Sequence, residues 1–597
     1  MNPTTLETPP PPATLTPEVP DWYPAWAREL ADFYFAGSAC LFLLHGNVQD
    51  LVHCPALAGH DEFLALSEFL AAQVFGRWDV VLAYDLGRGL RPSAGRAPER
   101  LQKMIEFLAA KLGGAPTTWP RDPDQVLAVL DGLIHRNLLE EDPGQRKSIG
   151  LIFEHSQYLV PAGDLALLAR GQAARLVRLL GWAQNPYLRR INVALCLVAD
   201  RLSEVNDRLV QDPHVAAIEI PLPDDAVRQR FIDKALAEQA TLRGGAVAPD
   251  GLSRLSSGLS LTSLDVLLAR ARRDPATLDG RQFRRLKKGM IERQCRGLVT
   301  FVEPAHTLAT VVGHTAAKAR LQQDAEWISQ GRLDIAPMGY LVCGPVGTGK
   351  TFLAECYAGT IGVPCVTLRN FRSKYVGETE GNLEHVLTVL RSLGPVVVII
   401  DEADAALGSR QAEGDSGTSA RVFSMIASQM GNTRFRGRIV WMLLTSRPDL
   451  LPIDLKRQGR AEVHIPLFYP QQPAEIAEMF RVMAGKNHAE LGAEAVPEVA
   501  AEQGLSGADI ESVVLDARRL ALADHRTAIT HADLATALDR FIPSEQGLEK
   551  ERQELVAVLE CTDRAFLPAK WAAKMATPDG RAEIQERCLA IRQLTGD

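Results

Sequence analysis

Residues 344–351, GPVGTGKT, constrain this chain more than any other stretch. They fit G-x-x-x-x-G-K-[ST], follow the apolar run YLVC and open the helix-prone stretch TFLAECYAG. A glycine-rich turn from strand to helix leaves backbone N–H groups free to close round phosphate oxygens, and the helix N-terminus adds favourable partial charge. Gly344, Pro345, Val346, Gly347, Thr348 and Gly349 would form that cradle. Lys350 would reach the β- and γ-phosphates and Thr351 would ligate Mg²⁺, so ATP and Mg²⁺ are the expected cofactors. The reading needs a buried strand behind the loop and a helix in front of it, and both patterns are present.

Fifty residues on, the apolar run VVVII delivers Asp401 and Glu402 to the end of a strand, where ligands bind in open α/β sheets. Alone, such a run followed by DE is also what a strand leaving the core for solvent looks like. Beside a phosphate loop, Asp401 is expected to hold Mg²⁺ and Glu402 to polarise an attacking water. Strand candidates at 340–343, 363–368, 396–400 and 439–444 alternate with helix-period stretches, which predicts a parallel α/β sheet. The first half has the same rhythm, with candidates at 40–44, 80–83, 149–153 and 193–198. Landmarks also repeat: Asp401 with Glu154, Pro466 with Pro221 and Gly504 with Gly258 are offset by 247, 245 and 246 residues. Three landmarks within two residues of one spacing point to an internal duplication.

A chain of 597 residues has room for roughly three to five folded units at about 100–200 residues each. With 46% hydrophobic and 23% charged residues it has the composition of a globular protein. The formal charge of -8 argues against a chain that coats nucleic acid, and no run is long enough and apolar enough to cross a bilayer, so no membrane partner is expected. Nine scattered cysteines without a C-x-x-C pair favour reduced thiols and a cytoplasmic location. Residues 1–20, with seven prolines and five threonines, read as a solvated tail and lack the pattern of an export signal.

After the phosphate loop come VVVIIDEAD, TSRPDLL, LKRQGR and GLSGADI, in that order. On these motifs residues 311–544, about two fifths of the chain, resemble the ATPase module of the AAA+ superfamily, in particular the AAA clade proper. The resemblance implies a P-loop NTPase fold: a RecA-like parallel sheet with a C-terminal helical lid, here duplicated in tandem. It also implies ATP hydrolysis and self-assembly into a ring, usually a hexamer. Ser446 stands where the family places a water-positioning Asn; it would serve as a shorter donor or merely cap the loop. Arg457 and Arg460 fall at the arginine-finger positions, completing a neighbour's site, so hydrolysis is expected to require assembly. Tyr375 and Val376, in FRSKYVGETE, resemble the first pore loop that grips an unfolded polypeptide client; an aromatic packed at a subunit contact is the alternative. Val312, Gly313, Gly507 and Ala508 align with adenine and ribose contacts, although Thr310 replaces the usual acidic residue beside the first pair.

The expected layout is a tail over 1–25, a degenerate module over 26–300 with an insertion at about 85–146, a nucleotide-binding domain over 301–470, a lid over 471–545 and a helical tail over 546–597. At the duplicated positions the first half offers LLHGNVQD without GK[ST], and Glu154-His155 in place of Asp401-Glu402, so it is expected not to hydrolyse ATP. Residues 270–296 carry ten basic and three acidic side chains, read as a solvated helix face or inter-ring contact in preference to a nucleic-acid surface. The sequence contains no H-E-x-x-H, the zinc peptidase signature found fused to some AAA+ proteins. The composite expectation is a ring-forming protein remodelling motor; a nucleic-acid-stimulated motor and an ATP-switched scaffold are the alternatives.

Overall fold

The computed structural model describes residues 19–595 apart from 56–60, 96, 143, 164–168, 239–251, 254, 274–279, 296, 369–377, 408–417, 493, 500–503 and 543–546. The chain divides into two compact units between Lys287 and Lys288. Among the described residues no helix is long and apolar enough to cross a membrane.

In the first unit the strands are β1 (Leu41–Gly46), β2 (Leu51–Pro55), β3 (Asp61–Ala65), β4 (Val80–Asp85), β5 (Gly89–Pro92), β6 (Ile149–Phe153), β7 (Val193–Val198) and β8 (Val215–Ile220). Six of them form one sheet in the order β5-β4-β6-β7-β1-β8. All pairs are parallel except β4 with β5. β2 and β3 form a separate antiparallel hairpin. The second unit has β9 (Val299–Val302), β10 (Gly339–Cys343), β11 (Cys365–Leu368), β12 (Val396–Ile400), β13 (Ile439–Thr445) and β14 (Val463–Pro466). Their order is β14-β10-β13-β12-β11-β9, parallel except at β9.

Read from the opposite edge, the first sheet runs β8-β1-β7-β6-β4-β5, so its five parallel strands follow the same order as those of the second. The duplication seen as a residue offset is therefore present as topology. Only the sixth, antiparallel strand differs: it follows the second parallel strand in the first unit and precedes the first one in the second unit. The central strands are continuous apolar runs because helices cover both sheet faces; β10, β12 and β13 are buried along their whole length.

The insertion expected at about 85–146 is built into the first core. It supplies β5 and the helix Pro123–Leu139, whose Val126, Leu130 and Leu133 pack against Leu151 and Leu195 of the sheet. In the second unit the helices Pro473–Lys486, Gly507–Ala523 and His531–Arg540 bury Ile476, Phe480, Ile510, Val514 and Leu534 together as a helical lid. Ser506 starts the middle helix by a capping box with Asp509. Beyond the lid, the helices Leu548–Glu560, Ala569–Met575 and Pro578–Thr595 cluster Leu555, Trp571, Ile584 and Ile591 around Phe468, while Phe566 enters the core beside the sheet.

Candidate nucleotide site

β13 lies between β10 and β12, so the segments leaving the C-terminal ends of these three strands converge. The phosphate loop leaves β10, Asp401 and Glu402 leave β12, and Thr445 with Ser446 ends β13. Two glycines in the loop are sterically obligatory. A Cβ on Gly344 would lie 2.3 Å from the Leu467 carbonyl oxygen, and one on Gly347, at φ +83°, would lie 2.7 Å from Ser506 Cβ.

Lys350 is the first residue of the helix Lys350–Ile361, and its Nζ donates to the carbonyls of Gly344 (2.8 Å) and Pro345 (2.9 Å). Burial lowers the ammonium's pKa below its ordinary value, with Asp401 and Asp404 acting against that shift. Thr351 Oγ1 donates to Asp401 Oδ2 at 2.8 Å. The exposed Glu402 takes the left-handed conformation at φ +47°, and its N–H bonds Asp401 Oδ1 at 2.9 Å. A non-glycine residue held there is strained, and such strain gathers at functional sites.

The cleft in front of these groups has a volume of about 1370 Å³. Val312, Gly313, Val346, Gly347, Thr348, Gly349, Lys350, Thr351, Asp401, Glu402, Ser446, Gly507 and Ala508 all line it. The Gly507 N–H bonds the Gly347 carbonyl at 3.2 Å, joining lid to loop. Gly344 and Pro345 are not among its lining residues; they serve through the carbonyls that hold Lys350. Arg457 and Arg460 do not line it either. Arg457 is exposed, and Arg460 donates to the Asp454 carbonyl at 2.6 Å. Tyr375 and Val376 lie outside the described residues.

Several lining groups were not singled out as site residues in the sequence, although Thr445 opens the motif TSRPDLL. Thr445 Oγ1 donates to Asp404 Oδ1 at 2.6 Å and accepts the Arg447 N–H at 2.8 Å, which fixes the turn carrying Ser446. His314, at φ +50°, lines the cleft, and burial pushes its pKa down to about 4, leaving the ring neutral. Residues 565–570, well beyond the lid, complete one wall.

The first unit has the same site with different occupants. Its helix opens with Leu66 and Ser67, where the second unit has Lys350 and Thr351, and the hairpin β2-β3 stands between this helix and the loop after β1. Ser67 Oγ donates to Glu154, as Thr351 does to Asp401. His155 follows at φ +54°, matching Glu402. Leu66 is buried and carries no charge. The carboxylate that corresponds to Asp401 is engaged by this unit's own guanidinium groups: Arg88 and Arg91 pair with both Asp85 and Glu154. Burial opposes ionisation of Asp85, yet the Arg88 N–H and the two guanidiniums outweigh it and bring its pKa down to about 2. Asp50 then takes the lid: its carboxylate accepts the N–H groups of Leu261 (2.9 Å) and Thr262 (2.8 Å) at the start of the helix Leu261–Arg273. That helix start corresponds to Gly507-Ala508.

Two parallel-sheet modules of one topology, the second with a complete phosphate loop and an adjoining Thr-Asp pair, define a tandem P-loop nucleotide-binding protein. Comparison with known proteins gives the family. Residues 12–221 match the family described as "AAA+ chaperone, N-terminal Rossmann-like domain", residues 226–296 "AAA+ chaperone, second helical domain", and residues 340–469 "ATPase family associated with various cellular activities (AAA)". The chain thus belongs to the AAA+ ATPases, with a degenerate first module and a second that retains the nucleotide site. Similar curated proteins include ATP-dependent zinc metalloprotease FtsH 3 of Sphaerobacter thermophilus, 33% identical over 44% of this chain and 56% of the relative. FtsH 1 of Salinibacter ruber is 33% identical over 36% of this chain and 32% of its own length. The cell division cycle protein 48 homolog of Archaeoglobus fulgidus is 32% identical over 35% and 29%. The chain therefore spans from under a third to just over half of the length of these relatives.

Proposed function

We propose that the second unit hydrolyses ATP to ADP and phosphate, and that the chain assembles into a ring, a hexamer, that remodels or unfolds a protein client in the cytoplasm. The observation that carries the reading is the Thr351–Asp401 pair, 2.8 Å apart, with Glu402 beside it at the mouth of the cleft that Lys350 enters. A hydroxyl and a carboxylate are hard oxygen donors that suit Mg²⁺, and Thr351 and Asp401 would hold it, where it would neutralise charge on the β- and γ-phosphate oxygens. The loop amides and Lys350 bind the triphosphate, and Glu402 orients the attacking water and accepts its proton.

Arg457 and Arg460 act in trans, stabilising charge at the γ-phosphate of the adjoining protomer. Their position away from the cleft of their own chain supports this, and such a finger contributes on the order of 10³ to 10⁵ in rate. Tyr375 and Val376 are the proposed pore-loop contacts with client. The named activity of the relatives, ATP-dependent proteolysis, supports a polypeptide client; without H-E-x-x-H no peptide cleavage is proposed. None of the nine cysteines, all of them described, is in a disulfide, which supports the reducing compartment.

The test is a pull-down in ATP with Glu402→Gln, expected to bind nucleotide, fail to turn it over and retain assembled ring and client, while Lys350→Ala loses ATP. Equal ATPase rates in wild type and Glu402→Gln would refute the catalytic assignment. Copurifying nucleic acid in place of protein would shift the client class. Ser446 favours a second reading, an ATP-switched scaffold with little turnover, which predicts negligible hydrolysis even by the assembled ring.

A further inference from the structure

The region matched to the ATPase family ends at residue 469, yet the phosphate loop is held from beyond it. Gln553, on the helix Leu548–Glu560, accepts the Val346 N–H through Oε1 at 3.1 Å. From the other side the Tyr469 hydroxyl donates to the Val346 carbonyl at 2.7 Å. Val346 is 67% exposed, so it is held by the two hydrogen bonds to its backbone more than by packing.

Peptide planarity makes those bonds consequential. The Val346 N–H shares a rigid trans peptide with the Pro345 carbonyl, which accepts Lys350 Nζ. The Val346 carbonyl shares the next peptide with the Gly347 N–H, at the start of the cradle. Gln553 therefore sets the plane that holds the lysine, and Tyr469 the plane that aims the following amide. Lys550, one turn earlier on the same helix, lies 4.3 Å from the Tyr469 ring centroid and donates to the Gly504 carbonyl at 3.2 Å, just before the lid helix. The helix also grips the segment after β13. Glu549 meets Arg447 at 3.5 Å, buried Arg552 meets Asp449 at 3.6 Å, and Glu560 meets Lys456, the neighbour of Arg457, at 2.9 Å.

We propose that Gln553 is a positioning residue of the phosphate loop, and that the helix Leu548–Glu560 links this loop to the arginine-bearing segment that serves the next protomer. The inference rests on the nucleotide-site assignment above. Its test is the affinity of the full-length chain for a fluorescent methylanthraniloyl derivative of ADP, with melting points measured with and without nucleotide. Gln553→Leu, which keeps the volume and removes the acceptor, is expected to weaken binding about two- to tenfold. Its kcat at saturating ATP stays within about twofold of wild type, so that the loss falls on KM. Tyr469→Phe removes one oxygen and should do the same. The double variant should lose less than the product of the two single losses, because both act on one loop. Wild-type binding matched by both variants, or a lower nucleotide-free melting point at unchanged affinity, overturns the inference. Failure of the wild type itself to bind overturns the site assignment first.

Discussion

Asp50 in the first unit does the work that a nucleotide would do between core and lid, and removing it should loosen that lid alone. Its carboxylate is 4% exposed and accepts the Leu261 N–H, the Thr262 N–H and the Thr262 hydroxyl at 2.8–2.9 Å. In Asp50→Ala the two amides at the start of the helix Leu261–Arg273 lose their acceptor. Leu261 is wholly buried, so water does not replace it. Loss of an N-cap costs about 1 kcal/mol and a buried unsatisfied donor about 1–3 kcal/mol, which together make roughly 3 kcal/mol. That is about a hundredfold in the local opening equilibrium. Hydrogen exchange of full-length protein reads it directly: amides across residues 261–273 should exchange about a hundredfold faster, and Asp50→Asn, which keeps one acceptor oxygen, should fall between. ATP should slow exchange in the helix Gly507–Ala523 and leave residues 261–273 as they were. Unchanged protection in Asp50→Ala, or ATP-dependent protection of the first lid, would refute the role given to Asp50.

Gly347→Ala should abolish nucleotide binding in a titration, because its Cβ has 2.7 Å to Ser506 Cβ on a backbone at φ +83°. Ser446→Asn lengthens the donor at the end of β13 and should raise assembled ATPase turnover about two- to tenfold, the range of one added hydrogen bond; steady-state kinetics decide it. Asp85, with its pKa at about 2, stabilises the folded first unit on the order of 2 kcal/mol above about pH 4, and that contribution is lost as pH falls through 2. Arg91→Met should move acid unfolding, followed by tryptophan fluorescence, to higher pH; an unchanged midpoint would rule out the ion-pair origin.

What the sequence disclosed was what is contiguous in it. The phosphate loop of the second unit is one unbroken run between a strand and a helix, and every expected strand is present. The candidate starting at Val363 begins two residues later, at Cys365, after Pro364, which cannot donate to a ladder. The counterpart in the first unit was not legible. The hairpin β2-β3 sets its helix start apart from the loop after β1, and the insertion between β4 and β6 sets it apart from the later landmarks, so Leu66-Ser67 lies 284 residues before Lys350-Thr351 while the other landmarks are 245–247 apart. Nor does any local pattern mark Arg88, Arg91 and Asp50 as stand-ins, since their roles come from side chains that meet only in the folded sheet. The tail after residue 547 has visible helical spacing, but spacing does not say which surface it covers. Gln553 becomes informative only once the helix is set against the loop.

The hairpin β2-β3 also decides whether a phosphate loop could be written into the first module. Writing Gly-Lys-Thr ahead of its helix would still leave the paired strands Leu51–Pro55 and Asp61–Ala65 between the loop after β1 and that helix, where an unbroken cradle must curve. A phosphate loop there would demand excision together with eviction of two arginines, a path closed to single substitutions, so the degenerate half is held to its form by architecture more than by the identity of any one side chain.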